Sequence, residues 1–161
     1  MNKIVITVLL LCSFSFEASY AQSVWDAPSG ILKDTKMDIV VYRSPTCGCC
    51  GKWLAHLKKH GFNVTDNVVD DMQSIKAKYG ITPALASCHT AIINGYIIEG
   101  HVPASDIKSM LKNKENIKGL AVPGMVVGSP GMEMGEQRAP FKVIAFGKEG
   151  QMKTYKAYDK Y

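Results

Sequence analysis

The sequence has no second long apolar run, no block of like charge, no internal repeat and no cysteines spaced to staple distant loops together, and each absence narrows its function. Only Ile4 to Phe16 forms a long, mainly apolar run. That run falls short of the ~18 residues that span a bilayer, so no stable membrane insertion is expected of the chain. The 19 Lys and Arg residues are interspersed with 14 Asp and Glu along helices and strands. A net charge of +5 spread in this way reads as a solvated surface and argues against a nucleic-acid partner. Apart from a doubled Pro-Gly-Met at 123–125 and 130–132 nothing repeats, and 161 residues suit one domain.

What is present begins with an export signal. Lys3 supplies the positive start, Ile4 to Phe16 the apolar stretch, and Ser19 and Ala21 the small residues of a cleavage site. Residues 1–21 are therefore expected to be removed, leaving a periplasmic protein that begins near Gln22. Cys12 leaves with them. A lipid anchor on Cys12 is not expected, because bulky Leu11 precedes it. The loss of Lys3 and Glu17 keeps the charge at +5.

Residues 22–36 carry no strong pattern and read as an N-terminal arm. The stretch 38–43 (DIVVYR) is a buried strand by its β-branched content. Cys50, Trp53, Leu54 and Leu57 recur at helical spacing, so 49–60 is a helix stopped by Gly61. A strand over 62–69 and a helix over 72–79, ended by Gly80, follow. Strands at 88–93 and 96–100 flank Asn94-Gly95, a strong hairpin signal. A helix starts at Pro103. The order β-α-β-α-β-β-α predicts an α/β, thioredoxin-like domain over residues 37–135. Within it, 119–135 is expected to be a Gly/Pro/Met-rich loop. Residues 136–161 are expected to add a C-terminal β-hairpin with strands at 141–146 and 151–158, outside the core pattern.

The chemistry centres on Cys47, Cys49 and Cys50, three thiols within four residues at the start of a helix. Such crowding points to metal or redox chemistry rather than to structural disulfides. The helix N-terminus favours thiolates, which both chemistries require. Cys50 shares the stripe of Trp53 and Leu57 and is expected to be the less exposed thiol, with Cys47 at the loop tip. A two-residue turn at Asn94-Gly95 pairs Ile93 with Tyr96 and, counting outward, Cys88 with His101. Directly opposed side chains lie ~4.5–5.5 Å apart, so these two should stand beside the cysteine trio. His89 should face away by strand alternation, as a structural or surface residue. His56 and His60 are expected on the surface. Met132 and Met134, two apart in an extended segment, face one way, with Met125 just before them. They are either further ligands or a cap on the site's apolar edge.

Four thiols, a histidine and nearby thioethers exceed what one zinc ion needs, and soft sulfur donors favour Cu(I). The surplus of bridging thiolates allows more than one ion. The motifs YRSPTCGCCGKW, ASCHTAIINGYIIEGHVPA and GLAVPGM…GSPGMEMG resemble the CopG family of exported bacterial copper-resistance proteins. That resemblance implies a thioredoxin-like fold and copper binding through Cys47, Cys49, Cys50 and Cys88 with His101 nearby, and it leaves room for an oxidoreductase-like activity. One departure from thioredoxins is visible: the position where they carry a cis-proline falls on Ser87. The competing readings are a thiol–disulfide oxidoreductase with Cys47 as nucleophile and Cys50 as resolving thiol, and a copper chaperone serving a transporter or oxidase of the envelope.

Overall fold

A computed structural model describes residues 23–26 and 37–161. The expected export signal at residues 1–21 and most of the N-terminal arm lie outside these. The thioredoxin-like order read from the sequence is present. Strand β1 (Met37–Arg43) leads into helix α1 (Gly48–Lys59), strand β2 (Phe62–Val68) and helix α2 (Met72–Tyr79). The hairpin β3 (His89–Ile93) and β4 (Tyr96–Glu99) and helix α3 (Ala104–Asn113) follow. Local chemistry accounts for these boundaries. Asp71 caps α2 by accepting from the Ser74 N–H at 3.0 Å, and Gly80 ends it in the left-handed conformation at φ 66°. Asn94 and Gly95, at φ 47° and 82°, make the tight turn that fixes the hairpin register. Ile93 pairs with Tyr96 and Ile92 with Ile97, as the turn predicts.

Two expectations about the C-terminal third need correction. The segment 119–135 is not all loop: Gly119–Ala121 forms strand β5, parallel to β4. Three residues are too few to show a period. Gly119 sits where any side chain would collide with the Ile97 carbonyl, so glycine marks the close approach of two backbones. The C-terminal hairpin, β6 (Phe141–Phe146) and β7 (Met152–Tyr158), was expected outside the core pattern. Instead it continues the same sheet through β5, giving seven strands in the order β2-β1-β3-β4-β5-β6-β7.

The main core packs Trp53, Leu54 and Leu57 of α1 and Ile107 and Met110 of α3 against Ile39, Val41, Ile98, Leu120 and Val143 of the sheet. The second cluster joins Ile81, Leu85, Ile97, Ala121 and Phe146. The arm is not patternless either. Trp25, in a single 3-10 turn (Val24–Asp26), packs on Phe141, Tyr158 and Tyr161. Its Nε1 donates to the Gly128 carbonyl at 2.8 Å.

The two α1 histidines, expected on the surface, are buried. His60 Nε2 donates to the Trp25 carbonyl at 2.6 Å, and His56 Nε2 accepts from the Ala104 N–H at 3.1 Å. Burial, reinforced by neighbouring His60, lowers the His56 pKa to about 3. The i, i+4 pair was misjudged because the 3-10 turn and the start of α3 cover a helix face that looks polar in isolation.

Candidate metal and thiol centre

The site is assembled from three places in the chain. The turn after β1 delivers Cys47 to the N-cap of α1, and the first turn of the helix carries Cys49 and Cys50. Cys50 is fully buried on the apolar stripe, as its spacing with Trp53 and Leu57 predicts. Cys47 and Cys50 form a disulfide, and Cys49 and Cys88 are free thiols. Cys88 arrives just before β3, and His101 just after β4.

The sulfur atoms meet. Cys49 Sγ lies 3.6 Å from Cys47 Sγ and 4.0 Å from Cys88 Sγ. All four cysteine sulfurs fall within 4.8 Å of one another. Cys88 Sγ is 3.0 Å from His101 Nε2, the neighbour that the hairpin register pointed to. His101 Nδ1 donates to the Pro130 carbonyl at 2.8 Å. That bond fixes the tautomer and leaves the Nε2 lone pair facing the sulfur, the usual arrangement of a ligating histidine.

His89 departs from expectation. Its ring is fully buried, 4.2 Å from Trp53 and 4.9 Å from His101 between centroids, and its Nδ1 lies 3.2 Å from Cys88 Sγ. Strand alternation misled because the β3 ladder begins at His89. Cys88 precedes it, so the two-face rule does not govern the pair. Cys88, His89 and His101 thus form a second cluster of donors that shares one thiol with the first. His89 Nε2 has no hydrogen-bond partner. Whichever ring nitrogen carries the proton, one buried polar atom is left unpaired, which is costly in a finished interior.

Burial drives the titration of this cluster. It lowers the pKa of His101 and, helped by His101 and Lys76, takes His89 well below the ordinary value, so both rings are neutral and able to ligate. Burial and neighbouring Cys49 push the Cys88 thiol up to about 12. This contrasts with the thiolates expected of the three cysteines at the helix N-terminus. Cys88 stands outside the helix N-terminus, and the hydrogen bond from neighbouring Ser87 lowers its pKa by less than burial raises it. An ion that binds there must displace its proton.

The Gly/Pro/Met segment closes over the site. Besides Pro130 on His101, Gly131 packs so tightly on the Trp53 backbone that a side chain would collide with it. Met125 and Met134 are 61% and 59% exposed, and Met132 is half-buried.

A family model described as "Protein of unknown function, DUF411" matches residues 85–132, the stretch from Cys88 and His101 through Met132. No curated protein matches the chain. Two solved structures do, "Copper resistance protein copG- Form 2" and "Copper resistance protein copG- Form 1". Each is 43% identical, with a TM-score of 0.74. The alignments cover 77% and 78% of this chain and 99% and 100% of those chains. With that identity over nearly the whole of both relatives, the chain belongs to the CopG family of copper resistance proteins.

Proposed function

We propose that the chain is an exported, periplasmic protein that binds copper(I) in copper tolerance. One observation carries the reading: four cysteine sulfurs lie within 4.8 Å of one another, and one of them also faces two neutral imidazoles. This donor set suits a soft ion. The His89 ring supports it, because its Nδ1 faces the Cys88 sulfur at 3.2 Å and the buried ring can join the donor set there. The ligands are Cys47, Cys49, Cys50, Cys88 and His101, joined by His89. Met132, Met134 and Met125 are further candidates from the loop. The number and spacing of thiols allow more than one ion.

The Cys47–Cys50 disulfide must open first, taking two electrons and two protons from a thiol reductant to yield two thiols. Reduced, metal-free protein is then expected to take Cu(I) from a competing chelator at nanomolar affinity or better. Failure to compete with all thiols reduced would sink the proposal.

The same disulfide favours a second reading, a thiol–disulfide oxidoreductase in which Cys47 is attacked or attacks and buried Cys50 resolves. Insulin reduction by metal-free protein tests it: activity lost in Cys47→Ser and kept in Cys88→Ser would support the enzyme. In a third reading, the site hands copper to a transporter or oxidase of the envelope, and ligand exchange followed by NMR would detect the docking.

A further inference from the structure

Behind the cysteines lies a group of buried charges that metal binding does not use. Glu99, at the end of β4, is fully buried, and Lys76 reaches it from α2. The Lys76 ammonium donates to Glu99 Oε1 and, at 3.3 Å, to Thr90 Oγ1. Thr90 in turn donates to Glu99 Oε2 at 2.6 Å. The remaining donor is a backbone group: the Ser87 N–H, 2.7 Å from Glu99 Oε1. Side chains from α2 and β3 and the backbone before β3 thus converge on one carboxylate.

Buried ion pairs are weak sources of stability, since desolvation of both charges offsets much of their attraction. Apolar residues of the same volume would serve a purely structural purpose as well. An apolar pair could not, however, hold the Ser87 N–H. Ser87 directly precedes Cys88, which lies outside the β3 ladder. Two further contacts clamp Ser87: its hydroxyl donates to the Gly124 carbonyl, and Gly100 approaches so closely that any side chain there would collide with it. All described peptide bonds are trans. At the place where thioredoxins use a proline ring to set this segment, the chain has a serine held by a carboxylate.

We propose that the Lys76–Glu99 pair positions Cys88, presetting the backbone from which its sulfur meets Cys49, His89 and His101 before any ion arrives. The role rests on the copper reading of Cys88, while the placement of the thiol can be tested without metal. Glu99 is the positioning residue. Lys76 holds, from the α2 side, the same carboxylate oxygen that accepts from the Ser87 N–H.

The test compares the wild-type chain, Glu99→Gln, and the double variant Lys76→Met/Glu99→Leu, all reduced. Three properties are measured on metal-free protein: Ser87 amide exchange by NMR, Cys88 alkylation by N-ethylmaleimide, and the melting temperature. Cu(I) retention against a chelator is measured separately. Both variants are expected to exchange Ser87 and alkylate Cys88 about tenfold faster and to hold Cu(I) about tenfold more weakly. The double variant is expected to melt no lower than wild type, so that faster exchange and alkylation report a displaced Cys88 and not a weakened fold. Wild-type exchange and alkylation in a folded double variant would overturn the proposal. Should that variant fail to fold, the near-isosteric Glu99→Gln decides by the same two rates. A wild-type chain that binds no Cu(I) would defeat the copper reading instead, and the metal-free rates would still judge the pair.

Discussion

At the residue scale, His89 and Cys88 carry the sharpest expectations. An unpaired buried polar atom costs roughly 1–3 kcal/mol, so the metal-free protein bears a penalty at His89 Nε2. His89→Leu is expected to raise metal-free stability in urea by about 1 kcal/mol while weakening Cu(I) binding. A structural histidine would show a loss of stability and unchanged affinity. Cys88→Ser removes the thiol common to both donor clusters and is expected to cost at least about tenfold in Cu(I) affinity by chelator competition. The sequence exposed the partnership of Cys88 with His101 because a two-residue turn sets a register that can be counted. It concealed His89, because counting faces assumes that both neighbours belong to the strand.

Among the elements, α1 has two jobs. Its N-terminus carries three cysteines, and its middle turns bury His56 and His60 under the 3-10 turn and α3. The folded state holds His56 neutral down to about pH 3, whereas the unfolded chain protonates near 6.5. The unfolded state therefore binds more protons below pH 6.5, and stability is lost as pH falls from there toward 3. One such group contributes a slope of up to about 1.4 kcal/mol per pH unit. Urea midpoints at pH 7, 5.5 and 4.5 are expected to fall less steeply in His56→Gln, whose side-chain oxygen can still accept from the Ala104 N–H. The Trp25 turn is a second element with more weight than its length suggests. Trp25→Ala is expected to cost about 3 kcal/mol, read as a lower melting temperature. One tryptophan in a short, unperiodic arm leaves no pattern to find, and only its aromatic partners far along the chain reveal it.

For the whole molecule, the sheet is continuous from β2 to β7, and the last hairpin supplies Phe141, Val143, Ala145, Phe146 and Tyr158 to the two cores. A chain ending at residue 135 is expected to lose cooperative unfolding, with a flattened thermal transition by circular dichroism. The β-α-β-α-β-β-α portion was legible because each element spans enough residues to show its period and is punctuated by Gly, Pro or Asn-Gly. The joining strand β5 was not, since three residues that open with Gly119 and run into Pro123 resemble a loop. Without β5 the hairpin had no visible attachment. The site followed the same logic: local spacing revealed the trio and the register revealed its partner, while the Lys76–Glu99 pair depends on long-range burial that no local pattern records.

Cys88 sits in both donor clusters, so the two halves of the centre cannot fill independently. Its thiol holds its proton up to about pH 12, and whichever ion arrives first must expel that proton. On the proposed copper reading, a second ion would then meet a sulfur already ionised and already placed. Uptake should accordingly run nearly all-or-none, with half-loaded molecules scarce in a native mass spectrum at substoichiometric copper.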